Sequence, residues 1–188
     1  MNIFYLSEDV DECARWHVDR HVVKMMTEYT QLLCTAHRIL DGSEYSGLSL
    51  NGRRTKRWRL EDANTETVLY SATHINHPSA VWARKSRENY IWLYSMFVAL
   101  TMEYSHRYGK VYKAFRKEEF PNTPSLGELL ATPPKNGPTI GVTPILLAMA
   151  DEYKIPGGTA IESYRNYYIN GKKHLHKWSK RSTPNWII

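Results

Sequence analysis

The chain has 188 residues, a formal net charge of +6 and a pI near 9.2, and 42% of its residues are hydrophobic while 23% are charged. These values exclude a disordered chain and a small domain that needs disulfides. They predict one globular domain, residues 1–188, with its own core. The moderate excess of Lys and Arg suits a polyanionic partner but does not require one.

The N-terminal residues carry no targeting signal, because no basic region precedes a long apolar run. Elsewhere no uncharged stretch is long enough to cross a membrane. The spacing of Cys13 and Cys34 indicates neither a disulfide framework nor a metal site, which favours a reducing compartment. We therefore expect a cytoplasmic protein with no membrane partner.

The first part of the chain predicts a short helix followed by a long one. Residues 2–6 are an extended lead-in, and the acidic residues after Ser7 favour a helix that ends near Trp16. The long helix is expected over Asp19–Leu40, with Gly42 as a left-handed residue after its last turn.

A polar stripe runs along this long helix next to its apolar face. Its members recur at spacings of 4, 3, 4, 3 and 4 residues, which at about 100° per residue places them on one line: His17, His21, Lys24, Glu28, Gln31 and Thr35. Because Arg20, Thr27 and Arg38 project on the side opposite the core, we interpret the polar stripe as the wall of a cleft. The alternative is that these are boundary residues whose polar ends reach out to water.

Residues 42–76 lack helical periodicity and are interpreted as an inserted loop with a β-hairpin, in which Lys56–Leu60 pairs with Thr67–Thr73. The basic run Arg53–Arg59 surrounds Trp58, so its cations could contact phosphates while the indole meets a base or a sugar. The alternative is a solvated, mobile loop.

The second half of the chain predicts further helices and a basic tail. Pro78 suits the first turn of a second long helix, expected over residues 79–106 and ended by Gly109. Three shorter helices are expected over residues 110–120, 125–131 and 159–170, with a Pro-rich and Gly-rich connector at 121–144 and a basic, aromatic tail at 172–188. The fold class is therefore predicted to be mostly α, a compact helical single domain with a small β-hairpin insertion.

The polar stripe and the start of the second long helix together form the first candidate site. It contains His17, His21, Lys24, Glu28, Asn76 and His77. A carboxylate held beside cations in a partly desolvated cleft is suited to general acid or base catalysis on a sugar or a base. The alternative for Glu28 is an ordinary helix-surface pair with Lys24 four residues earlier.

A metal site is a second interpretation of the same residues. His17 and His21 are separated by one helical turn and could share an ion, completed by Glu28 or His77. Lys24 lies between these ligands and would repel a cation, so we expect no metal. The sequence also lacks a Gly-rich phosphate loop, a Walker pattern and a nucleophile elbow, so no cofactor is expected.

Four segments resemble the pyrimidine-dimer DNA glycosylase (endonuclease V) family, in its broader branch of small phage and bacterial proteins. The resemblance covers roughly residues 1–35 and 74–113. The segments are Met1-Asn-Ile-Phe, then Asp19-Arg-His with Lys24, Glu28 and Gln31-Leu-Leu, then Asn76-His-Pro-Ser-Ala-Val-Trp82, then Arg107-Tyr-Gly-Lys110.

This resemblance implies a compact helical enzyme that flips a base out of damaged DNA. In the family an N-terminal amine attacks the sugar C1′ with the help of a glutamate, and abasic-site lyase chemistry follows from the resulting imine. The resemblance assigns the glutamate role to Glu28 and a position on the DNA face to His21. The best-known members expose a threonine amine, whereas this chain has Asn2, so either the Met1 amine is the nucleophile or only base recognition or water-dependent hydrolysis remains.

The expected function is a DNA glycosylase, with or without lyase activity, that excises a damaged or modified pyrimidine from double-stranded DNA. Glu28 and Met1 are the expected catalytic residues. The expected substrate-binding and DNA-binding residues are His17, His21, Lys24, Gln31, Asn76, His77, Trp58, Arg107 and Lys110, and Trp178 and Trp186 are further stacking candidates. Two alternatives stay open: a nucleic-acid-binding protein without catalysis, and a metal-dependent enzyme acting on small molecules or nucleotides.

Overall fold

The structure is a computed structural model that describes residues 1–49, 51–119, 121 and 123–187. It is mostly α-helical, as predicted, with one small antiparallel hairpin. The helices are α1 Val10–Trp16, α2 Asp19–Asp41, α3 Ala63–Val68, α4 Pro78–Lys85, α5 Arg87–Tyr108, α6 Leu126–Leu130 and α7 Ala160–Asn166. The strands of the hairpin are β1 Ser43–Leu48 and β2 Arg54–Arg59.

The core is built around the two long helices, α2 and α5, which pack against each other. Helix α1 lies on α5, and α4 contacts both long helices. The apolar face predicted for α2 is at most 1% exposed at six positions: Val22, Met25, Tyr29, Leu32, Leu33 and Ala36. Each side chain of this size contributes about 1.5–3 kcal/mol when fully buried, so this face decides how α2 lies in the domain.

The second long helix is interrupted, whereas the sequence pattern predicted one continuous helix. Ser86 is extended, with φ −146° and ψ 157°, and its hydroxyl accepts a hydrogen bond from the amide of Asn89 at 3.0 Å. A serine that caps the following amides starts a new helix, and this local preference outweighs the continuous apolar pattern. Helix α5 ends at Tyr108, before Gly109 as predicted, and Gly109 is left-handed with φ 66°; Gly42 after α2 was predicted to be left-handed but has φ −92°.

The hairpin pairs different strands from those predicted. Strand β2 pairs with the preceding β1, from Ser43 opposite Arg59 to Leu48 opposite Arg54, and not with residues 67–73. Of the predicted partner strand only residues 67 and 68 are helical, at the end of α3, which Asp62 caps by accepting a hydrogen bond from the amide of Thr65 at 2.8 Å; residues 69–73 are irregular.

The remaining elements wrap around the helical core. Residues 113–115 and 117–119 form two short 3-10 turns in place of the helix predicted over 110–120, whose last residue lies outside the described ranges. Helix α6 lies inside the predicted range, and α7 continues as a π turn over residues 167–171. Among the described helices, none is both long and apolar enough to span a membrane.

Candidate functional site

The His17 and His21 end of the polar stripe is covered. The imidazole of His21 stacks on Phe4 with ring centroids 4.3 Å apart, and its Nδ1 lies 2.6 Å from the hydroxyl of Tyr168. Nδ1 of His17 donates to the carbonyl of Cys13 at 2.7 Å. Burial lowers the pKa of His17 to about 4 and that of His21 to about 2, so both rings are neutral at pH 7. These two histidines fill the interior and are not available to DNA.

The opposite end of the polar stripe is covered by residues 69–77, which we call the overlay segment. The hydroxyl of Thr35 donates to the carbonyl of Thr73 at 3.3 Å and accepts from its amide at 3.2 Å. One helical turn further on, Arg38 donates to the carbonyls of Leu69 and Tyr70. The overlay segment therefore runs antiparallel to α2.

Arg38 was expected to be exposed, but only 4% of it is accessible. Besides the overlay segment, its guanidinium binds the carbonyl of Trp58 at 3.2 Å and the carboxylate of Glu66. A chain insertion that lies on a helix brings buried carbonyls with it, and a guanidinium with five N–H donors can satisfy several of them. Arg38 thus fastens the hairpin, α3 and the overlay segment to α2.

The middle of the polar stripe stays accessible and meets the start of the chain. Oε2 of Glu28 accepts the amide of Asn2 at 3.0 Å and lies 3.9 Å from the amino nitrogen of Met1. Nζ of Lys24 lies 3.2 Å from Oε1 of the same carboxylate. The Lys24 side chain is 69% exposed and that of Glu28 is 12% exposed. One carboxylate therefore holds two cations at the edge of the solvent.

The side chain of Asn2 fixes the direction of the N-terminus. Its Nδ2 donates to the carbonyl of Ala148 at 2.9 Å, and its Oδ1 accepts from the hydroxyl of Tyr164 at 2.9 Å and from the amide of Ile3 at 2.8 Å. Tyr164 is fully buried. Sequence reasoning missed this role, because the partners lie 146 and 162 positions away along the chain and no local pattern marks them.

His77 caps α4 beside this carboxylate. Its Nδ1 accepts the amide of Ser79 at 3.2 Å, so in the neutral ring the proton is on Nε2. Burial lowers the pKa of His77, and the positive charges of the Met1 amine and His74 lower it further, while Glu28 acts in the opposite direction. We define the N-terminal site as the Met1 amine, Lys24, Glu28 and His77.

Three of the predicted DNA-binding residues lie at the margin of the N-terminal site or away from it. Asn76 is exposed next to His77, and Gln31 is half-buried one turn along α2 from Glu28. Lys110 is exposed after the end of α5. Their accessibility allows them to contact a ligand that extends beyond the carboxylate.

Arg107 was predicted to contact DNA, but its side chain is fully buried. It donates to Asp19 at 2.8 Å, to Glu103 at 2.6 Å and to the carbonyls of Arg15 and His17 at 2.9 Å. Burial alone would raise the pKa of Asp19, but hydrogen bonds from Ser179 and Arg107 lower it. Because its donors are taken up inside the domain, Arg107 holds α5 against the start of α2 and is no longer a candidate for DNA binding.

The tryptophans of the C-terminal tail also belong to the packing of the domain. The indole of Trp178 donates to the carbonyl of Trp16 at 2.9 Å. Trp186 packs edge-on against Trp16 with ring centroids 5.6 Å apart, and the guanidinium of Arg165 lies over both rings. The tail thus packs against Trp16 of α1, and Trp178 and Trp186 do not form a stacking surface for bases.

The metal interpretation finds no ligand set within residues 1–49, 51–119, 121 and 123–187. No three His, Cys, Asp or Glu side chains in those ranges come close enough to share an ion. His17 and His21 have ring centroids 6.4 Å apart, and Nδ1 of each ring already has a protein partner.

Comparison of the chain with protein-family models, with curated proteins and with solved structures finds no match.

Proposed function

We propose that the chain is a DNA N-glycosylase with abasic-site lyase activity, in which the Met1 amine is the nucleophile and Glu28 transfers protons. The observation that carries this proposal is the 3.9 Å approach of the Met1 amino nitrogen to the Glu28 carboxylate, with Asn2 holding the backbone between them. The substrate class is double-stranded DNA with a damaged or modified pyrimidine, which must be flipped out of the helix to reach the site.

The proposed reaction begins at the Met1 amine. The unprotonated amine forms a bond to C1′ of the sugar while the bond from C1′ to the base breaks, and the departing base takes a proton. The new C1′ ammonium then loses a proton, and opening of the sugar ring gives an imine. Loss of a proton from C2′ of that imine expels the 3′ phosphate.

Glu28 is placed to support both halves of this sequence. A carboxylate near C1′ stabilises the positive charge that develops on the sugar as the base leaves, and it can accept the proton released by the amine. The 12% exposure of the Glu28 side chain keeps the carboxylate reachable for substrate while limiting its contact with water.

Lys24 and His77 have supporting roles in this proposal. The exposed ammonium of Lys24 can move from the Glu28 carboxylate to a substrate phosphate when DNA binds. The proton on Nε2 of neutral His77 can be donated in a hydrogen bond to the departing base or to a phosphate oxygen.

The contacts of Asn2 bear on the two alternatives that its presence left open. Three hydrogen bonds hold its side chain, and its backbone amide donates to Glu28, so the preceding amine is directed toward the same carboxylate. A rigidly held terminus lowers the entropy cost of bringing the nucleophile to the sugar. These contacts favour the Met1 amine as nucleophile over a site that only recognises a base.

To test this proposal, the purified protein is incubated with duplexes that contain an abasic site, a UV photoproduct or a modified pyrimidine, with and without borohydride. Borohydride reduces an imine to a stable covalent adduct. We expect an adduct with the wild type and a reduction of at least about 100-fold with Glu28→Gln, the size of effect typical of a lost acid or base. Equal product with Glu28→Gln would overturn the role assigned to Glu28.

A nucleic-acid-binding protein without catalysis is the second candidate. The 3.2 Å contact between Lys24 and Glu28, one turn apart on a helix, is the observation in its favour, since such pairs are common on helix surfaces. In that case Glu28 only clamps the N-terminus. DNA binding without any product, equal in the wild type and in Glu28→Gln, would support this candidate.

A further inference from the structure

Strand β2 carries a concentration of cations that the fold does not neutralise. Five Lys or Arg residues occur between positions 53 and 59. Lys56 pairs with Glu44 at 2.9 Å, Asp62 caps α3 and Glu66 binds Arg38, while Glu61 is exposed just after the strand. In the part of the chain that the structure describes, no carboxylate lies at ion-pair distance from the remaining four: Arg53, Arg54, Arg57 and Arg59.

Two of these guanidiniums are held in place on one face of the hairpin. Arg57 lies opposite Tyr45 in the register, and the guanidinium of Arg59 is 5.2 Å from the centroid of the Tyr45 ring. The side chain of Arg57 crosses Gly47, where an added Cβ would come within 2.8 Å of its Cδ. Nη2 of Arg57 donates to the carbonyl of Leu48 at 3.0 Å, while its Nε is enclosed and has no acceptor among the described residues.

Arg57 and Tyr45 border a cleft of about 640 Å³ between the hairpin and residues 66–72, and the Arg59 guanidinium lies beside it over the Tyr45 ring. Trp58 is half-buried and lines the cleft together with Tyr70, over which the ammonium of Lys113 lies at 5.8 Å. Arg38 ties both walls to α2 through the carbonyls of Trp58 and Tyr70. The cleft is therefore lined by basic and aromatic side chains, and Arg38 holds both of its walls to α2.

The cleft and the N-terminal site lie at the two ends of the overlay segment. Arg38 and Glu28 are ten positions apart on α2, which corresponds to about 15 Å along the helix axis. One strand of B-DNA advances about 3.4 Å per phosphate, so this separation spans roughly four nucleotides. A duplex bound at the N-terminal site is therefore long enough to reach the cleft.

We infer that this cleft binds the phosphodiester backbone of the DNA that flanks the nucleotide held at the N-terminal site. The inference rests on the proposed function for the identity of that nucleotide. Arg57 and Arg59 contact phosphates, because a planar guanidinium matches the oxygens of a phosphate and alternate residues of a strand stand about 6.8 Å apart on one face. Tyr45, on the same face of the hairpin as Arg57 and Arg59, provides a flat apolar surface for the sugar or an unstacked base.

The test measures binding of a labelled duplex that contains an uncleavable abasic analogue, by fluorescence anisotropy over a range of salt concentrations. The hairpin variant is Arg57→Gln with Arg59→Gln. We expect it to bind at least about tenfold more weakly near 0.1 M salt and to lower the slope of log K against log salt by about 1.8, the value for two lost phosphate contacts. Unchanged affinity and slope would overturn the inference.

Two further variants separate a specific contact from a general loss of charge. Lys173→Gln with Lys177→Gln removes the same charge from the exposed tail, and we expect less than a threefold change; a loss equal to that of the hairpin variant would contradict a specific site. Gly47→Val keeps every charge but displaces Arg57, so it should also weaken binding, with circular dichroism confirming that the fold is retained. Competition by polyglutamate as effective as competition by DNA would point to an acidic polypeptide and overturn the inference.

Failure of this inference is distinguishable from failure of the proposed function. Borohydride adduct formation by the wild type depends on the N-terminal site and reports on the proposed function alone. An adduct with wild type but unchanged binding in the hairpin variant would remove only the cleft from the account. Absence of any adduct, with binding that still depends on Arg57 and Arg59, would remove the catalytic proposal and leave a DNA-binding surface.

Discussion

Two adjacent pairs of residues in the polar stripe have the same sequence pattern but different environments. We call His17 and His21 the covered half, and Lys24 and Glu28 the open half. His17 and His21 lie under Phe4 and Tyr168 and have lost their charge, whereas Lys24 and Glu28 remain at the solvent edge beside the Met1 amine. The helix is continuous through both halves, so local structure does not distinguish them. What differs is the part of the chain that packs on each pair: aromatic side chains enclose the two histidines, whereas the first residues of the chain hold Glu28 and leave part of its carboxylate and most of Lys24 accessible.

Substitutions in and around the covered half should cost the most stability, and the largest effect is expected at Arg107, an α5 residue that contacts the start of the polar stripe. It is fully buried and donates to the carbonyl of His17 and to the carboxylates of Asp19 and Glu103. Removing one partner of such a buried network leaves uncompensated charge, so Arg107→Met should lower the free energy of unfolding by about 3–5 kcal/mol. Urea denaturation measures this. A loss below about 1 kcal/mol, no larger than for the exposed Arg20→Met, would show that the network is not important to the fold.

The covered histidines should make stability fall in mild acid. In the folded state the pKa is about 4 for His17 and about 2 for His21, both below the ordinary histidine value near 6.5. Between pH 6.5 and 4 the unfolded chain therefore binds more protons than the folded one, and stability decreases as the pH falls. Each histidine contributes about 1 kcal/mol per pH unit in that range.

The matched variant for this prediction is His17→Leu, which cannot be protonated and has a similar volume. Its unfolding free energy, measured in urea at pH 7, 6, 5 and 4, should fall less steeply with acid than that of the wild type. His106→Gln, at an exposed position, should leave the slope unchanged. A wild-type stability that is flat from pH 7 to pH 4 would mean that these rings are not held neutral inside the domain.

The open half should be almost neutral for stability, which is the smallest expected effect. Lys24 is 69% exposed, and a solvated pair one helical turn apart contributes only about 0.3–0.5 kcal/mol. Lys24→Gln should therefore shift the free energy of unfolding by less than about 0.5 kcal/mol while it weakens DNA binding and lowers its salt dependence. A destabilisation comparable to that of Arg107→Met would erase the difference between the two halves.

The sequence predicted those parts of the fold that local chemistry decides. The apolar face of α2, the end of α5 before Gly109 and the short helix α6 all follow from periodicity and from residues within one turn. The break at Ser86 is also local in origin, since its hydroxyl caps a new helix where the wider pattern indicated a continuous one. Residues 69–73 are not a strand because they lie along α2, which no local pattern indicates.

The candidate site was predicted less completely, because its environment is made by distant segments. The sequence placed Glu28 on the polar stripe and His77 at the start of a helix. No residue near them indicates that Ala148 and Tyr164 hold Asn2. The burial of Arg107 and Arg38 was not predictable from helix position either, since each is surrounded by carbonyls from parts of the chain that have no pattern in common. The position of a charged residue on a helix therefore does not predict its exposure when other segments of the chain pack over that helix.

The measurement that tests the central claim most directly is the location of the borohydride-trapped adduct. The protein is trapped on an abasic duplex, digested with a protease and a nuclease, and its peptides are weighed by mass spectrometry, with a second preparation carrying a short extension before Met1. The account predicts that the added mass lies on the amino group of Met1 and that the extended protein gives no adduct there. An adduct on a lysine side chain, or equal trapping of the extended protein, would contradict it.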